Sequence, residues 1–243
     1  MAQRDAIYAA PRDAVAGFTF DEAVVTVFPD MIKRSIPGYA QMIAYLGVWA
    51  ARYVQPHSRV YDLGCSLGAS TFAARERITQ ADVQMVAVDN SAAMIAQCRE
   101  NLRQRDSDIP VDLVEADLQD VPIENASLVM LNFTLQFIAP DERDDIIQTI
   151  YDGLNPGGVL ILSEKVVFPT GEQTERFIDI YHDFKRANGY SELEVAQKRT
   201  ALENVLIPET IEQNRARLLR AGFASAETWF QAFNFMSMVG IKE

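Results

Sequence analysis

Five short apolar runs, RVYDL at 59–63, VQMVAVD at 83–89, VDLVEAD at 111–117, SLVMLNFT at 127–134 and GVLILSE at 158–164, alternate with helix-like stretches. The helical stretches fall at about 69–79, 91–104 and 140–153. Apolar strands separated by helices pair in parallel and are covered on both faces, so the spacing predicts an α/β fold around a mostly parallel sheet. From about 166 to 206 no convincing strand occurs and two or three helices are expected, as an insertion after the fifth strand. A helix is then predicted from about 209 to 221, with a turn at Gly222. The runs AETWFQAF and NFMSMVGIK that follow are close enough to pair antiparallel, which makes seven strands with a C-terminal hairpin. Ahead of the alternation, residues up to about 20 look irregular. Pro29 and Pro37 interrupt helical spacing, so one short helix and then one from about 38 to 54 are expected.

Composition limits what such a sheet can serve. With 243 residues, 49% of them hydrophobic, the chain can bury one core with appendages. A net charge of -12 repels phosphate backbones and anionic membrane surfaces, so no direct nucleic acid partner and no membrane partner are expected. The cysteines, Cys65 and Cys98, form no CxxC pair, and His57 and His182 sit in no HExxH pattern, so a metal site is not expected. The first residues mix charge with proline where a signal peptide needs an apolar run, and no segment reaches the ~18 apolar residues of a membrane span. The chain reads as cytoplasmic.

The stretch VYDLGCSLGAST, residues 60–71, leads the first strand through a glycine loop into a helix. In open α/β sheets ligands bind beyond the carboxyl ends of the strands, which places this loop in the binding crevice. A pyrophosphate site wants G-x-G-x-x-G, but Ser66 stands at the middle glycine, between Gly64 and Gly68. A nucleoside without pyrophosphate fits better, and S-adenosyl-L-methionine (SAM) is the common one; the alternative is a glycine turn that only tightens the connection. Asp89 ends the second strand, a little farther on than the ~20 residues typical of the acid that binds ribose hydroxyls. Asp117 follows the third strand, where it can meet an adenine edge, and Asn132 ends the fourth, near the sulfonium. A strand-ending aspartate can equally cap the next helix, and that alternative applies to Asp89 and Asp117. Cys65 reads as a packing residue rather than a nucleophile, and His182 as a surface residue rather than a base. The segment NFTLQF lacks the (D/N)PP(Y/F) pattern of enzymes that methylate base or glutamine nitrogens.

From RDAIYAAP through FTFDE, VFPDMIKRSIPGY, VYDLGCSLGAST, LNFTLQF, LNPGG and HDFKRANGYSELEVAQKRTALENV to WFQAFNF, the chain resembles the carboxy-S-adenosyl-L-methionine synthases, bacterial relatives of the class I SAM-dependent methyltransferases. The resemblance implies the Rossmann-like class I fold, with residues 1–55 as a helical extension covering the cofactor site. Residues 56–165 and 207–243 would form the SAM-binding core, and 166–206 an insertion serving as dimer contact and lid. The implied reaction transfers no methyl group. Prephenate loses its ring carboxylate, that carbon is captured by the methyl of SAM to give carboxy-S-adenosyl-L-methionine, and phenylpyruvate leaves. The product would feed a transfer RNA uridine carboxymethyltransferase acting on the wobble uridine. By the same resemblance Tyr39, Gly64, Cys65, Ser66, Asp89, Asn90, Asp117, Leu118, Asn132 and Arg199 contact the cofactor; Leu118 stands where the family has isoleucine. Arg199 would be the catalytic cation, reaching the new carboxylate from the neighbouring subunit of a homodimer, because guanidinium binds carboxylate through two parallel hydrogen bonds. An ordinary methyltransferase acting on a small molecule or transfer RNA shares every feature of the cofactor site and stays open, as does a catalytically silent cofactor-binding module.

Overall fold

The structure is a computed structural model that describes residues 3–243. The five apolar runs become β1 (Arg59–Leu63), β2 (Gln84–Asp89), β3 (Val111–Glu115), β4 (Ala126–Asn132) and β5 (Leu154–Val167), all parallel. A two-residue strand, β6 (Glu209–Thr210), precedes the hairpin of β7 (Ser225–Ala232) and β8 (Phe235–Ile241). The sheet order is β3-β2-β1-β4-β5-β8-β7, with β8 antiparallel to both neighbours. Chain progression reverses between β1 and β4, which opens a crevice at the carboxyl ends of those strands.

Successive strand residues are sent to opposite faces, as period-two geometry requires. Tyr61, Val129, Leu131, Leu160 and Leu162 pack beneath α5 (Arg143–Gly153) and α8 (Ile211–Ala221) with Ile147, Ile150 and Leu218. Val60, Leu128, Met130, Val159 and Ile161 pack on the other face, under α2 (Tyr39–Tyr53) and α3 (Ala69–Arg75), with Leu46, Ala50 and Ala74. The fifth covering helix, α4 (Ala92–Arg103), seals β2 and β3 through Ile95 and Cys98. Both faces of the sheet are therefore closed, and only its carboxyl end is left for a ligand.

Several expected boundaries shift, each for an identifiable reason. The short first helix is in fact α1 (Glu22–Ser35), which runs straight through Pro29. One ladder hydrogen bond is forgone there, but Asp21 caps the amino end and Val24, Val27 and Met31 are buried against Tyr8, Phe18, Met94 and Ala201. Tertiary burial outweighs the local defect. The fifth strand begins at Leu154 and extends to Val167 because β6 pairs with its far end, Val166 to Glu209 and Val167 to Thr210. Residues 209 and 210 are accordingly strand rather than the start of α8, with Thr210 as the helix cap in a reciprocal box with Gln213. The insertion holds two helices, α6 (Gly171–Ala187) and α7 (Glu192–Leu202), and its two ends are fastened side by side by this short pairing.

The amino-terminal segment and the insertion are joined to each other. Gln197 of α7 donates to the carbonyls of Tyr8 and Ala10, Tyr190 donates to the Asp5 carboxylate, and the Arg34 guanidinium lies 3.9 Å from the Tyr190 ring centre. Together they make one cover over the crevice.

Candidate functional site

The crevice is a cavity of about 590 Å³ between the carboxyl ends of the strands and this cover. That lies within the range of about 300–1,000 Å³ in which small-molecule sites fall. Tyr39, Gly64, Cys65, Ser66, Asp89, Asn90, Asp117, Leu118 and Asn132 all line it. These nine residues come from five separate stretches of the chain, and the sheet order is what gathers them.

The loop after β1 has three residues in the left-handed region, Gly64, Ser66 and Gly68. At Gly64 a Cβ would run into the Thr134 side chain, which donates to the Leu63 carbonyl; at Gly68 a Cβ would stand 2.9 Å from the Cys98 sulfur. Both glycines are required by close approach as well as by φ. The Cys65 thiol belongs to a buried cluster with Ala87, Ile95 and Cys98, and its interaction with Cys98 together with burial pushes it far up in pKa. Such a thiol is inert as a nucleophile, in keeping with a packing role.

The Asp89 carboxylate accepts from the Ser66 N–H at 2.9 Å and the Ser91 N–H at 3.0 Å, while α4 is capped by Ser91, whose side chain accepts from Met94. The helix-cap alternative for Asp89 is thereby set aside: the carboxylate spans loop and helix and keeps acceptor capacity toward the cavity. Burial raises its pKa, opposed by those two backbone bonds. Asp117 makes no capping bond; it accepts from Asn90 at 2.8 Å, so these two side chains form a pair at the rim. Asn132 is clamped between neighbours, donating to Ser70 and accepting from Ser163, each at 2.7 Å, and Ser163 is 2.8 Å from Ser237. This chain of four side chains fixes the amide at the end of β4.

Phe133, immediately beyond, has φ 60, which is uncommon for a bulky residue. Its conformation is held by the Leu135–Gln136 turn, whose two N–H groups donate to the Glu164 carboxylate at 3.0 Å each. Burial pushes the Glu164 carboxyl up to about 8, against the pull of those bonds and of the Arg143 guanidinium. From Phe133 a file of rings leads to Phe235 at 5.9 Å and on to Tyr181 at 5.2 Å, while Tyr39 stands 6.4 Å from Phe133 on its other side. An acceptor for one nucleoside edge, a clamped amide and an aromatic wall suit the ribose, sulfonium and flanking groups of SAM.

Residues 60–158 match the methyltransferase domain family. Among solved structures the fold resembles a cyclopropane synthase from Mycobacterium tuberculosis, with a TM-score of 0.57 at 18% identity over 76% of this chain and 62% of that one. It also resembles human N-acetylserotonin methyltransferase in complex with SAM, at TM-score 0.61 and 13% identity, covering 91% of this chain and 55% of that one. These likenesses concern the fold. Curated relatives are far nearer: proteins named carboxy-S-adenosyl-L-methionine synthase match at 61% identity in Trichlorobacter lovleyi, over 98% of both chains, and at 56% in Vibrio cholerae, over 100% of this chain and 98% of that one. The chain belongs to the carboxy-S-adenosyl-L-methionine synthase family.

For a carboxy-S-adenosyl-L-methionine synthase the residue of most interest is the expected catalytic cation, and Arg199 is exposed on α7 and does not line the cavity of its own chain. Burial lowers the pKa of Lys165 and, with the Lys185 charge, that of His182, and the Arg199 charge adds to the shift of both. The cations that do line the cavity are Lys165, next to the end of the apolar part of β5, and Lys198, buried on α7 beside Arg199. Sequence reasoning passed over both. Lys165 follows directly on a fully buried run, which is a legible signal for a buried ammonium; Lys198 in AQKRT carries none. It also missed Asp62, buried under the loop, which accepts from Thr71 through one oxygen and leaves the other without a partner. Burial pushes that carboxyl up to about 6.

Proposed function

We propose that the chain converts SAM and prephenate into carboxy-S-adenosyl-L-methionine and phenylpyruvate. The observation that carries the reading is the placement of Lys165 at the β5 end of the crevice beside the rings of Phe133, Tyr181 and Phe235, where an anionic carboxyl donor could lie beyond the sulfonium. The C–C bond to the ring carboxylate of prephenate breaks, its electron pair aromatises the ring and expels the ring hydroxyl as hydroxide, and carbon dioxide is released. Hydroxide takes one proton from the sulfonium methyl and becomes water, and the methyl carbon bonds to the carbon dioxide. The full-length likeness to proteins named for this product supports the reading. The cover of amino-terminal segment and insertion supplies the dry pocket that keeps hydroxide and carbon dioxide from escaping.

Within this reading SAM is a substrate held by Asp89, the Asn90–Asp117 pair, the loop backbone at 64–66 and Asn132. Arg199 serves the site of a second copy in a homodimer, in the cytoplasm, and the product passes to a transfer RNA carboxymethyltransferase. Incubating the protein with SAM and prephenate should give phenylpyruvate and carboxylated SAM in equal amounts and no S-adenosylhomocysteine. S-adenosylhomocysteine appearing in step with a methylated acceptor would instead make it an ordinary methyltransferase, the second reading that the shared SAM crevice allows.

The subunit exchange has its own test. Arg199→Ala should weaken carboxylated SAM far more than SAM, because only the former carries the carboxylate. Mixing Arg199→Ala subunits with Asp89→Ala subunits should restore one working site per heterodimer. Verified heterodimers without activity would place Arg199 in the same chain as its ligand.

A further inference from the structure

The β5 end of the cavity gathers more positive charge than its surroundings balance. The Lys165 and Lys185 ammonium groups each lie 5.0 Å from the Tyr181 ring centre, and Lys185 and Lys198 each lie 6.0 Å from that of Tyr190. Lys185 and Lys198 are buried, and Lys198 and Lys165 face the cavity. Lys198 has Asp5 at 3.7 Å, but among the described residues no carboxylate lies within salt-bridge distance of Lys165 or Lys185. Buried cations without acids are costly. Burial, with repulsion from Lys198 and Lys165, outweighs the pull of Asp5 and pushes Lys185 down to about 7, and burial with the Arg199 charge brings Lys165 down to about 8. A bound anion would relieve both effects.

The sheet order sets where that anion lies. Asp89 ends β2, Asn132 ends β4 and Lys165 lies on β5, so Lys165, with Lys185 across the Tyr181 ring, stands on the far side of Asn132 from the nucleoside acceptor, past the rings of Phe133 and Phe235, while Lys198 reaches the cavity from the cover, 5.9 Å from the Phe18 ring centre. A ligand reaching them beyond SAM needs an apolar ring and an anionic tail. Prephenate has two carboxylates, and they make opposite demands. The ring carboxylate must leave as a neutral molecule, so a cation bound to it in the ground state would oppose the step. The 2-oxo acid carboxylate keeps its charge throughout and can be gripped at no such penalty.

We infer that Lys165 and Lys198, backed by Lys185, form the subsite for the 2-oxo acid carboxylate of the carboxyl donor. The inference rests on the proposed reaction and names the part of the site that holds its second substrate. The three ammonium groups anchor the side chain that survives into phenylpyruvate, and the Tyr181–Phe235–Phe133 file carries the ring. The departing carboxylate is left toward the sulfonium, away from the lysines.

Phenylpyruvate separates the two carboxylates, because it retains the 2-oxo acid and lacks the ring group. Lys165→Met should raise KM for prephenate about 10- to 100-fold. It should weaken competitive inhibition by phenylpyruvate by the same factor, with the SAM dissociation constant unchanged. Because Lys165 has no acid partner, the thermal midpoint should stay level or rise, and Lys165→Arg should recover part of the affinity. An unchanged KM in the folded methionine variant would overturn the subsite. A raised KM with phenylpyruvate inhibition untouched would assign Lys165 to the departing carboxylate and overturn it equally. Should the wild-type protein make no carboxylated SAM from prephenate, the reaction fails, yet calorimetry of phenylpyruvate on wild type and Lys165→Met still reads the subsite: equal affinities would remove it.

Discussion

Methionine in place of Arg143 should lower the unfolding free energy by about 3 to 5 kcal/mol, the usual cost of removing one partner from a buried ion pair. Arg143 is only 1% exposed and is the largest fully buried side chain among the described residues. Its guanidinium meets Glu209 at 2.8 Å and donates to the carbonyls of Ile138 and Ile207 at 2.9 Å each. It also favours the charged form of Glu164, which holds the turn beneath Phe133. The loss is therefore a destabilised fold and a loosened wall of the cavity. Lysine at the same position should recover little, because one ammonium cannot reach Glu209 and both carbonyls at once. Denaturant unfolding measures the effect, and a midpoint equal to wild type with the same slope would mean that Arg217, which meets Glu209 at 2.7 Å, already suffices to hold that carboxylate.

Alanine at position 89 should weaken SAM by about 2 to 4 kcal/mol while sparing the fold, since it removes the carboxylate proposed to accept charge-assisted hydrogen bonds from the ribose hydroxyls. The sparing of the fold is expected because α4 keeps its cap at Ser91. Titration calorimetry together with a melting curve distinguishes the two quantities. A large fall in melting temperature with an unchanged dissociation constant would make Asp89 a scaffold residue that only ties the Ser66 loop to α4.

Local pattern carried most of the sheet. The period-two alternation in SLVMLN and GVLILS sends side chains to two faces whatever the rest of the chain does, and the glycines at 64 and 68 announce backbone that other residues cannot adopt. Asp89, Asp117 and Asn132 were legible because they stand at or just past the carboxyl ends of β2, β3 and β4, where an open parallel sheet binds its ligands. Each lines the cavity.

Other features depended on contacts that no local window contains. Pro29 lies within a helix because Tyr8, Phe18 and Met94 cover the face around it, and Glu209–Thr210 is a strand because Val166 and Val167 come beside it. The lysines are the clearest case. Lys185 and Lys198 lie in a stretch that, as sequence, reads as a helical insertion, and Lys165 stands apart from them at the end of the fifth apolar run. Folding the insertion back onto β5 and the amino-terminal segment desolvates all three around Tyr181 and Tyr190. Strand pattern, turn residues and the SAM loop followed from the sequence by itself, since short-range sterics and burial periodicity are written residue by residue. The meeting of these ammonium groups at one end of the cavity was decided only by tertiary structure, because the charge environment of a side chain depends on distances between segments and not on their order in the chain.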